Sequence, residues 1–432
     1  MKLYRFLSLA VLVTGATLFV GGQAAAQPAS RLGEALAQIT ENPDRAATNM
    51  HSYEFHPVVD TRTPKGYKAF YISHYGRHGS RYEQSTSFSK AALEGFRKAD
   101  SLSLLTEAGK ALYKDIRAIT DEHEGMEGAL TPRGGREHQM LARRMVSRFP
   151  TVFDQKDRKD VLAVASTSQR CIVSMSNFLG SLNSVVPGLT FTSTSASRYM
   201  DYINPRIQYG SGGMGAMMRR PPSGYDWTRF LSQIFKDPSA IGGIIPEPES
   251  FVRSVYSTGG LCQDLDFMGI DIFRQYFTPE ELTQLWMRQN DMIYGLWANS
   301  REMGDVVRDA PKPLLKDFVE KADEALKADS HKCADLRFGH DTSVLPLAAL
   351  MGVDDPDGNR YAIEDAHNHW FSHERVCMAS NVQMIFYRNK KGNVLTKVLY
   401  NEQEVHFPGM KPLEGPYYPW ETLRAWFLSL CQ

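Results

Sequence analysis

Three short apolar runs organise the chain, and each closes on a cluster of reactive polar residues. Residues 67–73 (YKAFYIS) lead into His74-Tyr75-Gly76-Arg77-His78-Gly79. Residues 161–165 (VLAVA) lead into Ser166-Thr167-Ser168-Gln169-Arg170, and the weaker run 334–338 leads into Gly339-His340-Asp341. Unbroken apolar runs of this length predict strands buried on both faces. Helical spacing intervenes at 135–149 and 171–182. Strands alternating with helices predict an α/β fold: a mostly parallel, doubly wound sheet flanked by helices. Ligands of such sheets sit beyond the carboxyl ends of the strands. All three clusters are expected there, in one pocket.

The stretch from 190 to 330 has another texture. Loops rich in Gly, Met and Pro (209–222 and 241–248) give way to clear helices. Thr278-Pro279-Glu280-Glu281 predicts a helix start, with Thr as cap, Pro first and Glu281 closing a capping box. Leu282, Leu285, Trp286 and Ile293 follow at helical spacing. The stretch reads as an inserted, mainly helical cap domain. Later, 382–387 and 394–400 surround the polar turn Asn389-Lys390-Lys391-Gly392-Asn393, which predicts a hairpin at the antiparallel edge of the sheet. The aromatic tail (Tyr417, Tyr418, Trp420, Trp426, Phe427) predicts a C-terminal helix packed on the core. The organisation is then a leader at 1–26, a lead-in at 27–65, an α/β core from 66–189 and 331–432, and a helical cap at 190–330.

Residues 1–26 combine Lys2 and Arg5, an apolar run from Phe6 to about Val20 and Ala24-Ala25-Ala26. This is the three-part pattern of a cleaved secretory signal, shorter in its apolar part than a membrane span. It predicts a periplasmic or secreted protein with no membrane association after cleavage. The chain of 432 residues has a formal net charge of +0. Removing the leader takes two bases and no acid, leaving 47 bases against 49 acids. That balance argues against nucleic acid as a partner; an anionic small molecule needs only a local basic pocket. The five cysteines (171, 262, 333, 377, 431) have no metal-ligand spacing. They read as buried small hydrophobes with at most one disulfide.

Arg77-His78-Gly79-Ser80-Arg81 carries the clearest chemistry. A transferring phosphoryl group spreads charge over three oxygens, so its transfer depends on positioning and on cationic donors. Two arginines supply forked donors beside a nitrogen nucleophile, His78. They also lower the histidine's pKa and keep its lone pair free. Arg170, at the start of a helix capped by Ser or Thr, adds an anion site. His340 can hold a phosphate oxygen, and Asp341 can protonate a leaving oxygen if it is itself protonated.

Taken together these clusters resemble the histidine phosphatase superfamily, in its acid phosphatase and phytase branch. RHGSR at 77–81 matches its Arg-His-Gly-x-Arg signature, HD at 340–341 its second signature, and LTPRG at 130–134 its Leu-Thr-x-x-Gly element. Arg170 matches its third phosphate-binding arginine. The resemblance covers roughly 65–190 and 333–400, and the cap only by position. It implies His78 as phosphate acceptor, with Arg77, Arg81, Arg170 and His340 clamping the phosphate. Asp341 would be the general acid, and water would hydrolyse the phosphohistidine. No metal or other cofactor is implied. Tyr82 and the cap residues Leu285, Trp286, Asn290 and Tyr294 resemble the multiple inositol polyphosphate phosphatases. That subgroup usually has His-Ala-Glu at the second signature, whereas His340-Asp341-Thr342 is the acid phosphatase and phytase form. Glu83 stands where the acid phosphatases tend to have proline.

The function expected from this set is a phosphomonoesterase, a phytase or inositol polyphosphate phosphatase. Its partner is a small phosphate ester, polyphosphorylated ones included, and the chain is a monomer or weak oligomer. The alternative is a broad-specificity acid sugar phosphatase; behind it stand a phosphomutase and a non-enzymatic phosphate-binding surface protein. His367, His369 and His373 read as a polar loop rather than a metal site. His74 is expected to pack near the pocket. Arg219-Arg220 is either a solvated loop or a grip on further phosphates.

Overall fold

The three apolar runs become neighbouring strands of one sheet. In the computed structural model, which describes residues 29–210, 223–355, 357–407 and 409–432, the strands are β1 (Tyr67–Arg77), β2 (Asp160–Ala165), β3 (Thr190–Thr194), β4 (Lys332–Gly339), β5 (Asn381–Asn389), β6 (Val394–Tyr400), β7 (Gln403–Glu404) and β8 (Tyr418–Pro419). Their order is β3-β2-β4-β1-β5-β6-β7, with β8 on β6. The strands β3, β2, β4 and β1 run parallel, and β5 and β6 form the predicted antiparallel hairpin. β1 is longer than its apolar run. Its pairing with β4 continues to Arg77 opposite Gly339, so the backbone stays extended through the polar residues. β3 is a polar edge strand, a composition that discourages further pairing.

Helices cover both faces. Pro132–Arg148 and Gln169–Val185 bury Leu141, Met145, Phe178 and Leu182 against Ile72, Ala163 and Leu336. On the other face Lys312–Leu326, Asp341–Leu350 and the C-terminal helix Trp420–Leu430 pack on Tyr71, Tyr75 and Phe386. No helix among the described residues is long and apolar enough to cross a membrane.

The helical unit is assembled differently from the expectation. Helices Ser87–Ser101 and Glu107–His123, assigned to the α/β core, bury Phe96, Leu112 and Ile116 against Phe230, Phe235 and Phe251 of the cap. Ala35, Ile39 and Ala47 of the lead-in join the same cluster. Conversely, β3 and helix Lys312–Leu326 lie within 190–330 yet belong to the sheet core. A helix pattern specifies a buried face, but not the partner that covers it.

Local expectations fare better. Thr278 caps helix Pro279–Trp297, and Glu281 reaches back to close the box. Asn290 ties that helix to the 370–372 segment, donating to the Trp370 carbonyl (2.9 Å) and accepting from Ser372 N (2.7 Å). Tyr294 donates to the Asn299 carbonyl, and Trp286 packs on Phe371. The cap residues that carried the resemblance are therefore structural ties. The five cysteines are all free thiols. His367, His369 and His373 face three different partners, Asp291, Asp365 and Gln38. The leader at 1–26 and Arg219-Arg220 lie outside the described residues.

Candidate active site

Strand register brings the signatures together. β1 and β4 are adjacent and end level, so His78 N donates to the Gly339 carbonyl (2.9 Å) and the His78 and His340 rings meet edge to face, centroids 5.6 Å apart. β2 flanks β4 on its other side, and Ser166 N donates to the Phe338 carbonyl (2.8 Å). Helix Gln169–Val185 then starts beside His340 and presents Arg170. Arg77, Arg81, Arg170, His78, His340 and Asp341 thus share one site, as expected from their positions at the strand ends.

The loop after β1 is held along its length. Gly79 N donates to Ser174 Oγ (3.2 Å), Ser80 N to Glu137 Oε2 (2.7 Å), and Thr131 N to the Ser80 carbonyl (2.9 Å). Helix Pro132–Arg148 presses on this loop through glycine: a Cβ on Gly134 would overlap the Ser80 carbonyl, and one on Gly79 would lie 2.6 Å from Gly134 Cα. LTPRG is therefore a buttress. Thr131 caps its helix, and Gly134 permits the close approach. Such supported loops hold catalytic groups in place without reorganisation.

His78 is buried, and its Nδ1 lies 2.9 Å from the Gly79 carbonyl. A carbonyl only accepts, so Nδ1 carries the proton and Nε2 keeps its lone pair. Burial first, and then Arg77, Arg170, His340 and Arg81, push His78 well below the ordinary histidine range. The ring is a neutral imidazole among cations.

The arginines are buried and incompletely satisfied. Arg77 spends Nη1 on the Asn49 and Val376 carbonyls and sets Nη2 2.8 Å from Asp341 Oδ2. Arg81 donates from Nη1 to the Tyr82 carbonyl (2.9 Å). Arg77 Nε and Nη2, Arg81 Nε and Arg170 Nε have no aligned hydrogen-bond partner among the described residues; Arg77 Nη2 meets Asp341 as an ion pair only. Buried donors are normally satisfied, so this cluster calls for an acceptor with several oxygens. Burial, and then Arg77, lower Arg81 to about 10, still a cation at neutral pH.

His340 Nε2 lies 2.9 Å from Ser166 Oγ, and its Nδ1 faces Arg170 Nη2 at 3.5 Å. Burial and Arg170 lower it to about 4. Asp341 Oδ2 accepts from Asn49 Nδ2 (3.0 Å), and Oδ1 from Thr342 N (3.0 Å). Burial pushes Asp341 up, but Arg77, His340, Arg81 and Asn49 outweigh it, and the carboxyl sits below its usual range. His74, by contrast, packs on Phe178 and Phe338 away from the chemistry. Glu83 caps the next helix, accepting from Phe88 N (2.9 Å) and Ser89 Oγ (2.6 Å).

Three contributors carry no signal in the sequence. Asn49 comes from the lead-in, beside Thr48 at φ 58° and ψ −122°. A β-branched residue with positive φ is strained, and such strain collects at functional sites. Glu137 holds the loop from helix Pro132–Arg148, and Asp264 lies buried beneath Ser80 through Ser52. These are isolated polar residues without periodicity, brought in by chain folding alone.

Comparison with known proteins places this architecture. No family model matches the chain. Multiple inositol polyphosphate phosphatase 1 of Gallus gallus is 25% identical over 361 residues, spanning 77% of this chain and 75% of that protein. Among solved structures, the multiple inositol polyphosphate phosphatase of Bifidobacterium longum in complex with phosphate superposes with a TM-score of 0.75 at 19% identity, covering 89% of this chain and 97% of that one. The phytase from D. castellii gives 0.66 at 15% identity, covering 90% and 85%. A mostly parallel sheet with flanking helices and a helical domain is the histidine acid phosphatase fold. The sequence relative and the structural neighbours of this chain are thus multiple inositol polyphosphate phosphatases and phytases, and it shares their fold.

Proposed function

We propose that the protein hydrolyses phosphate monoesters through a phosphohistidine on His78, with inositol polyphosphates such as phytate as the substrate class. One observation carries this: buried guanidinium N–H groups without aligned partners surround a neutral imidazole whose Nε2 is free. The phosphoryl oxygens take the donors of Arg77, Arg81 and Arg170, and of His340 Nδ1 once Ser166 Oγ donates to Nε2 and the ring proton sits on Nδ1. Nε2 of His78 attacks phosphorus, the bond from phosphorus to the ester oxygen breaks, and that oxygen takes a proton from Asp341. Water then attacks, giving its proton to Asp341 as the phosphorus–nitrogen bond breaks.

Asp341 is anionic in the free site, because the cations around it hold it below the usual carboxylate range. The ester supplies what is missing. With a second pKa of about 6, a phosphate ester binding at acidic pH brings one proton. Its negative charge also offsets the arginines that kept Asp341 ionised. The inositol polyphosphate class rests on the Gallus gallus relative, itself a multiple inositol polyphosphate phosphatase. The three-part leader at 1–26 supports a periplasmic or secreted enzyme.

The test is phosphate release between about pH 3 and 7, from phytate, glucose 1-phosphate and p-nitrophenyl phosphate, in periplasmic and culture fractions. Turnover of phytate by exported chain lacking residues 1–26 is expected. A marked preference for glucose 1-phosphate would favour the sugar phosphatase alternative. No release from any ester would overturn the reading.

A further inference from the structure

Beneath the phosphate-binding loop two buried carboxyls face each other across two serine hydroxyls. Ser80 Oγ lies 2.8 Å from Glu137 Oε1 and 3.0 Å from Ser52 Oγ, and Ser52 Oγ lies 2.9 Å from Asp264 Oδ1. Asp264, Glu137, Ser52 and Ser80 are all buried. Each of these three oxygen–oxygen contacts needs one hydrogen, because two oxygens facing each other without one repel. The two hydroxyls supply two. A third hydrogen must come from a carboxyl.

The surroundings decide which carboxyl holds it. Glu137 accepts from Tyr53 N (3.0 Å) and Ser80 N (2.7 Å) as well as from Ser80 Oγ, the environment of an anion. Asp264 has no such donors, and its Oδ2 has no hydrogen-bond partner among the described residues. We propose that Asp264 is a positioning residue held as a neutral carboxylic acid, whose proton completes a chain from Asp264 through Ser52 and Ser80 to Glu137 and fixes the loop that carries His78. The charged groups around it bear on this in opposite senses. Burial and the Glu137 charge push Asp264 up to about 7, while Ser80, Ser52 and the Arg81 cation pull it down. Arg133, donating to the adjacent Gln263 carbonyl (3.1 Å), is a further cation on that side.

The carboxyl is therefore neutral at acidic pH and gives up its proton as pH rises through about 7. Its pKa is raised relative to the unfolded chain, so the native state holds the proton more tightly. The stability it adds is greatest at low pH and falls between about 4 and 7. This deepens the proposed reaction and rests on that reading of 77–81, except for the spectroscopic arm of its test.

The test compares Asp264→Asn, Asp264→Ala and Glu137→Gln in the full chain. Asn is uncharged and donates as the neutral acid does. Asp264→Asn is expected to keep kcat/KM within about threefold of wild type at pH 5. Asp264→Ala is expected to lose about tenfold or more. Glu137→Gln is expected to lose as much, because its amide must turn a donor toward the Ser80 or Tyr53 N–H. The Asn variant should also gain melting temperature over wild type as pH rises from about 4 to 7. The infrared difference spectrum of wild type minus Asp264→Asn at pH 5 should contain the C=O stretch of a protonated carboxyl. Absence of that band, no loss in Asp264→Ala, or an Asn variant that is unfolded or as impaired as Ala would each overturn the proposal. An inert wild type that shows the band would sink the phosphatase reading and leave the neutral carboxyl standing.

Discussion

His78→Ala is expected to lower kcat by about 10,000-fold or more on every ester while leaving inorganic phosphate binding in place. The imidazole is the only group among the site residues that combines a free nitrogen lone pair with three surrounding arginines. In the proposed mechanism its removal takes away the atom to which phosphorus is transferred. Water left in its place is a poorer nucleophile and is not held on line. The anion site survives, because Arg77 is anchored by the Asn49 and Val376 carbonyls and Arg81 by the Tyr82 carbonyl, none of which depends on the ring. Phosphate should therefore still protect the variant against thermal unfolding. Steady-state kinetics with phosphate-dependent melting makes the check. Residual turnover within about tenfold of wild type would remove His78 from the nucleophile's role.

Asp341→Asn is expected to split substrates by leaving group. An inositol or sugar alkoxide must be protonated as it departs, and loss of a general acid costs about 100-fold or more. p-Nitrophenolate departs without a proton, so kcat/KM for its ester, which reports the steps up to leaving-group departure, should fall less than about tenfold. KM should not rise for either, because the substitution removes an anion 2.8 Å from Arg77 and leaves that cation freer for phosphate. An equal loss of kcat/KM on both ester types, measured side by side, would move the acid's role elsewhere.

The part of the site that depends on local signals is legible in the sequence. Residues 67–73 and 334–338 are apolar enough to be strands, and their polar ends follow directly, which places His78, Arg77, Arg81, His340 and Asp341 together. The end of β1 is not legible in the same way, because pairing with β4 on one side and β5 on the other keeps Gly76 and Arg77 extended. The supporting layer is hidden for another reason. Ser52 and Asp264 are 212 residues apart, and Asn49 and Asp341 are 292 apart. Short polar residues in loops have no periodicity, and only the closed fold gives them a role. The cap boundaries fail likewise: the amphipathic face of Ser87–Ser101 specifies burial, but only packing against Phe235 and Phe251 assigns it to the helical unit.

The most direct measurement of the central claim is a rapid quench into alkali, where phosphohistidine survives, during turnover of a substrate labelled at phosphorus. Peptide mapping should then place the label on the peptide containing His78 and on no other, and His78→Ala should show none. Turnover with no labelled peptide, or label on a different residue, would contradict covalent transfer to His78.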